Sequence, residues 1–264
     1  MRPAKYMLLF LLLTSFTGVQ KKPDHVLKIT GDRMTTDNLG NVYIINKETI
    51  TKYDHSGVLQ KTFSDKKYGP ITSADASNPL RITLFYRDFG RVLFLDNMMS
   101  PIGDEMKLES LGFSLAASVA SSHDNGLWIF DQQNSELIRF NRNMQIENRS
   151  GNLQQVIGQN VHACFLTEKG NWVMLSDSTN GIYLFDVYGT YSKMIPLKKL
   201  SSFQVNDDAI IYFEDPGIYS WPLIGADATF LTEPNDPTAL DMRIEKNEIF
   251  VLKKDTLEIF DRPN

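Results

Sequence analysis

One cysteine, Cys164, stands in the whole chain, so no internal disulfide framework is possible and the protein must hold itself together by packing and strand pairing. Set in His-Ala-Cys-Phe-Leu, that thiol reads as a buried structural residue and not as a nucleophile. Positive charge is also scarce: Lys+Arg 27 face Asp+Glu 32, a formal net charge of -5, which excludes the dense basic surface that grips nucleic acid. Histidines number only 4, and no Gly-rich phosphate loop, H-E-x-x-H or C-x-x-C occurs. Long apolar runs are missing too. The uncharged run with the most apolar centre, Tyr6 to Gln20, has 15 residues, whereas a spanning helix needs about 20 apolar ones.

What is present begins with Arg2 and Lys5 ahead of Met7-Leu8-Leu9-Phe10-Leu11-Leu12-Leu13 and then Thr14, Ser15, Thr17 and Gly18. A basic start, a short apolar middle and a small or polar end make residues 1–20 a secretory signal peptide, with cleavage expected between Thr17 and Gln20. A retained anchor is the other reading of the same segment. Removal takes away two positive charges and makes the mature charge -7, with no transmembrane segment left in the mature chain. The expected location is outside the cytoplasm, periplasmic or associated with the outer membrane.

Residues 21–264 repeat. Each copy holds a short inner strand, a polar turn, a very apolar strand, a tight turn, and an apolar strand ending in an aromatic plus Asp or Asn. The clearest are Met34 to Asp54, Ser118 to Asn141 and Ala163 to Asp186; weaker ones run Ile71 to Asp96, Phe203 to Pro222 and Met242 to Asp261. Successive third strands end at Asp54, Asp96, Asn141, Asp186, Pro222 and Asp261, spacings of 42, 45, 45, 36 and 39 residues. Four short strands in about 40 to 45 residues form a β-propeller blade. Fourth, outer strands are expected at Leu59 to Phe63, Met106 to Leu108, Met144 to Asn148, Tyr191 to Ile195 and Ala228 to Leu231.

The last copy lacks an outer strand, while His25-Val26-Leu27-Lys28-Ile29 is spare at the other end. Placing it there covers an otherwise unpaired edge. The reading is therefore one all-β domain over residues 21–264, a six-bladed β-propeller of 24 strands whose ring is closed by the N-terminal strand. Two β-sandwich domains would also show short regular strands, but would not leave one strand missing and one spare.

The recurring turn-strand Asp37-Asn38-Leu39-Gly40-Asn41-Val42-Tyr43-Ile44, echoed more loosely from Glu168 to Met174, resembles the six-bladed propellers of the NHL and TolB-like kind, exported bacterial proteins among them. The resemblance implies the fold; such propellers include protein-binding platforms, lactonases and lyases, and the fold does not choose among them.

Loops entering the inner strands and those joining second to third strands open on one face. Candidate binding residues there are Tyr68, Arg87, Asp88, Phe89, Asn134, His162, Asn180 and Asp215, with Asp32 and Asp236 as further polar positions. Tyr68, Arg87 and Phe89 stand out as partner anchors, because aromatics and arginine dominate binding hot spots. The inner strands read Met-Thr-Thr, Ile-Thr-Ser-Ala, Ser-Val-Ala-Ser, Ala-Cys-Phe-Leu, Phe-Gln-Val and Met-Arg-Ile, with no carboxylate, so neither a channel metal nor a cofactor is expected. No Ser or acidic partner stands at a fixed spacing from His162, and no catalytic residue is assigned. The expected function is a non-catalytic platform for a protein partner in the bacterial cell envelope. A propeller hydrolase or lyase acting on a small ester or glycan, and a carbohydrate-binding propeller with Tyr68, Phe89 and Trp221 as a stacking platform, stay open as alternatives.

Overall fold

In the computed structural model, residues 22–206, 208–214, 217–225, 227–232 and 238–262 are described. The expected signal segment 1–20, Asp215 and Asp236 lie outside them. The described residues form 24 strands in six four-stranded antiparallel sheets. β1 (His25–Lys28) comes first. Blade 1 is β2 (Arg33–Thr36), β3 (Val42–Asn46), β4 (Thr49–Tyr53) and β5 (Leu59–Ser64); blade 2 is β6 (Ser73–Asp75), β7 (Ile82–Tyr86), β8 (Arg91–Leu95) and β9 (Met106–Lys107). Blade 3 holds β10 (Ala116–Ser121), β11 (Leu127–Asp131), β12 (Glu136–Phe140) and β13 (Ile146–Asn152), and blade 4 holds β14 (Ala163–Lys169), β15 (Trp172–Asp177), β16 (Gly181–Asp186) and β17 (Tyr191–Ile195). Blade 5 is β18 (Gln204–Asn206), β19 (Ala209–Glu214), β20 (Gly217–Pro222) and β21 (Thr229–Thr232). Blade 6 has β22 (Asp241–Glu245), β23 (Glu248–Leu252) and β24 (Thr256–Asp261), with β1 as its outer strand.

That closure is the one expected from the spare strand. β1 runs antiparallel to β24, with His25 opposite Ile259 and Lys28 opposite Thr256. The pairing is extended by Asp24 N–H to Ile259 O (2.9 Å) and by Ile29 N–H to Asp255 O (3.1 Å). Joining the first and last strands in one sheet turns an open stack into a ring and covers the outer edge of β24.

The second strands, and less uniformly the third, are rich in apolar residues because both faces are covered by neighbouring blades. Successive side chains on a strand point to opposite sides, so Tyr43 and Ile45 pack against Ile82, Leu84 and Tyr86 of blade 2. Val42 and Ile44, one residue out of phase, pack against Phe250 and Leu252 of blade 6. Trp128 and Phe130 meet Val173, Leu175 and Tyr183 between blades 3 and 4, while Ile129 and Leu127 meet Phe85 and Val92 between blades 3 and 2. Six such clusters fill the six seams of the ring.

The aromatic-plus-Asp signature at the end of each third strand has a structural cause. Asp54, Asp96, Asn141 and Asp186 each open the same five-residue turn, in which the side-chain Oδ1 accepts the N–H groups two and four residues on. The fourth residue takes a left-handed conformation, at Gly57 and Gly189 without a Cβ penalty and at Met99 (φ 60°) and Met144 (φ 58°) despite one. Met144 is therefore a turn residue, and the outer strand of blade 3 begins at Ile146 rather than at Met144.

A short helix, α1 (Leu153–Ile157), lies in the link to blade 4, with the Asn152 side chain accepting from Gln155 N–H and Gly158 ending it in the left-handed region. No helix was expected there. The inner strands also differ from expectation. β14 continues through Thr167, Glu168 and Lys169, and β22 starts at Asp241 and reaches Glu245, while β6 ends at Asp75. Carboxylates are thus present on the inner strands, contrary to the sequence reading, which ends the inner strand of blade 4 at Leu166 and leaves Glu168 and Lys169 to a turn.

Candidate functional site: the central channel

The inner strands β2, β6, β10, β14, β18 and β22 surround a cavity of about 680 Å³. They run in the same direction, from an upper end, where the links from the previous blade and the second-to-third-strand turns lie, to a lower end formed by the first-to-second-strand and third-to-fourth-strand turns.

At the lower end each carboxylate has partners. Glu168 is 8% exposed and joins blades 4 and 3: its Oε2 accepts from Ser122 Oγ (2.7 Å) and Trp128 Nε1 (2.5 Å), and its Oε1 faces His123 N–H (2.8 Å) and His123 Nδ1 (2.7 Å). Arg139, also buried, donates to Ser122 Oγ and pairs with Asp124 and Glu147. Asp75 accepts from Ser77 N–H and Ser121 N–H. Gln204 ties three blades, donating to Thr36 Oγ1 (3.0 Å) and Ile244 O (3.1 Å) and accepting from Ile244 N–H (2.8 Å). Glu245 has a single long bond, from Thr36 Oγ1 at 3.4 Å. Burial pushes its carboxyl above the ordinary range, the Asp37 charge adds to this, and Thr36, Lys169 and Lys246 oppose it.

At the upper end Arg243 is 5% exposed, and its Nη2 donates to Ser202 Oγ (2.6 Å) and Asp241 Oδ2 (3.0 Å). Burial raises the Asp241 carboxyl, with the Arg243 charge and hydrogen bonds working downward. The Arg243 Nε–H has no acceptor, a deficit that costs about 1–3 kcal/mol for a buried donor. Arg33 donates to the carbonyls of Ile71 (2.8 Å) and Thr72 (3.0 Å). Among the described residues no three His, Cys, Asp or Glu side chains converge as a metal site.

The described members of the candidate set share the upper face, but only Arg87 and, of the further polar positions, Asp32 line the cavity. Arg87, Asp88 and Phe89 form one 3-10 turn with all three side chains exposed, Phe89 to 52%. Tyr68 is not an exposed anchor: it is 6% exposed, its ring 5.4 Å from that of Tyr86 and covered by Lys67 Nζ at 4.7 Å. Trp221 is half-buried in β20 against the blade 4–5 cluster, so Tyr68, Phe89 and Trp221 make no stacking platform. Asn134 donates to Asp131 Oδ2 (2.7 Å) and Asn180 to Asp177 Oδ2 (2.9 Å), both shaping turns. His162 is exposed and supplies its backbone N–H to Asp177 Oδ2 (2.8 Å). Burial works against an ionised Asp177, but the N–H groups of His162, Thr179 and Asn180 outweigh it and hold the carboxyl below its ordinary range. Arg33 and Arg243 were missed; a lone arginine inside Met-Arg-Ile, an apolar inner strand, was the available signal.

The architecture places the chain among the β-propellers. No family model and no curated protein matches it. Among solved structures it is similar to a chain of the mitotic checkpoint complex (TM-score 0.65, 10% identity, 99% of this chain and 100% of that one) and to the Pan2 WD40 domain of Neurospora crassa (0.60, 9%, 89% and 90%). A streptogramin B lyase is similar as well (0.59, 13%, 91% and 88%). At these identities the likeness concerns the fold alone.

Proposed function

We propose that this protein is an exported, non-catalytic propeller serving as a protein-binding or assembly platform in the bacterial cell envelope. Export rests on the basic, apolar and small-residue order of residues 1–20. The solved neighbours include a chain of a multiprotein complex and a lyase, so the choice between platform and enzyme falls to the side chains. Three of the four inner-strand carboxylates are held by two or more hydrogen bonds, Asp241 by Arg243 and Ser202 among them, an arrangement that fixes blades together and leaves no free acid–base pair among them.

The observation that carries the platform reading is a set of exposed apolar side chains on the lower face of blades 1 and 2. Leu39 (57%), Val58 (57%), Leu80 (66%) and Met98 (53%) stand on turns of these two neighbouring blades. Single exposed apolar residues are ordinary, whereas several on one face of adjacent blades suit a partner with an apolar patch. Tagged protein should capture a stoichiometric partner from detergent-solubilised envelope, and Leu80→Asp with Met98→Asp should abolish recovery. Loss with Arg87→Ala and Phe89→Ala instead moves the contact to the upper face. Recovery unaffected by both pairs, or activity lost to chelation in metal-bearing protein, refutes the reading.

A further inference from the structure

Charged residues are distributed unevenly along the channel. Its lower end is balanced, with Asp75, Glu168 and Glu245 against Lys169, Lys246 and Arg262, while its upper end sets Arg33, Arg87 and Arg243 against only Asp32 and Asp241. Arg243 lines the cavity, and its guanidinium is held in place through Nη2 by Ser202 and Asp241. Arg33 directs Nη1 to the neutral carbonyls of Ile71 and Thr72, and the Arg87 backbone N–H binds Thr72 Oγ1 at 3.0 Å, which brings both arginines to the same residue of the link. Apolar surface adjoins them: Phe165 and Phe203 line the cavity edge-to-face, 5.0 Å between ring centres.

We propose that the upper channel binds the oxyanion group of a small organic acid, a carboxylate or phosphoryl group, with its apolar body against Phe165 and Phe203. A planar guanidinium meets two oxygens with parallel N–H···O bonds, and Arg243 is already oriented by its own partners. Arg33 supplies the uncompensated charge that draws the anion in, and enclosure strengthens the attraction relative to open water. The lower-face docking surface is not involved, so either reading can fail alone.

Calorimetric titration of the full chain at low ionic strength, with sodium octanoate and separately with phenyl phosphate, tests this. Saturable binding of one molecule per chain is expected for at least one of the two, and which one binds assigns the ligand as a carboxylate or a phosphoryl compound. Arg33→Gln, at an exposed position, should weaken binding about tenfold or more while its thermal unfolding matches the parent. Arg243→Gln should abolish binding if it folds; should it not fold, Arg33→Gln decides. Leu80→Asp should bind as the parent does. No saturable binding of either probe, or binding that Arg33→Gln leaves unaltered, overturns the proposal.

Discussion

Replacing Glu168 by alanine removes the acceptor on which Ser122 Oγ, Trp128 Nε1, His123 N–H and His123 Nδ1 converge. The four donors are not equivalent. The His123 side chain is 56% exposed and can rehydrate, whereas Trp128 is wholly buried and Ser122 is 6% exposed. Each buried donor left without a partner costs about 1–3 kcal/mol, so the two together cost roughly 2–6 kcal/mol. Arg139 adds to the upper part of that range, because its Nε donates to the same Ser122 Oγ (3.0 Å) and depends on where that hydroxyl points. For a chain of this size 1 kcal/mol moves the thermal midpoint by about 2–4 °C, which gives an expected fall of roughly 4–24 °C. Glu168→Gln keeps one acceptor oxygen but turns an N–H toward one pair of donors, and should cost about half as much. Urea unfolding followed by Trp fluorescence suits the measurement, since Trp128 sits at the hub. A loss below about 1 kcal/mol for Glu168→Ala, or equal losses for the two variants, would show that this cluster does not fasten blades 3 and 4.

Ring closure gives a second expectation: Leu27, half-buried beside Ile259, should cost about 1–2 kcal/mol as Leu27→Ala in urea unfolding, and deletion of residues 25–28 should cost far more. A deletion variant as stable as the parent refutes closure by β1. Glu245→Gln addresses pH. A carboxyl raised in the folded chain binds its proton more tightly there than when unfolded, so its contribution favours the fold at low pH and is lost as pH rises through the raised value. The variant should melt higher than the parent at pH 7, by on the order of 1 °C, with the gap closing near pH 4; a gap widening on acidification contradicts the assignment. Mass spectrometry of protein extracted from envelope should find an N-terminus after a cut between Thr17 and Gln20, and a chain still beginning at Met1 contradicts export with cleavage.

Blade count and closure were readable because the physics that builds them is periodic and local. Second and third strands buried on both faces appear as unbroken apolar runs such as Leu127 to Phe130, and the Asp or Asn that builds each outer turn recurs at Asp54, Asp96, Asn141 and Asp186. Inner strands are short and half-open to the channel, so their mixture of polar and apolar residues looks like a turn. Glu168 and Lys169 were misread for that reason. Tyr68 illustrates the other failure: its burial against Tyr86 comes from a neighbouring strand far along the chain, and nothing in Lys-Lys-Tyr-Gly announces it. Of the candidate residues Arg87 and Asp32 line the cavity, whereas Arg33 and Arg243 acquire their setting only when blade 1 meets the link to blade 2 and blade 6 meets the link to blade 5.

Amide hydrogen exchange of the protein with and without its captured envelope partner reports the docking face residue by residue. Slowed exchange is expected in the lower turns of blades 1 and 2, residues 37–41, 54–58, 78–81 and 96–100, with residues 87–90 unchanged. Protection confined to residues 87–90, or no protection anywhere on the propeller, would contradict a platform that binds through its lower face.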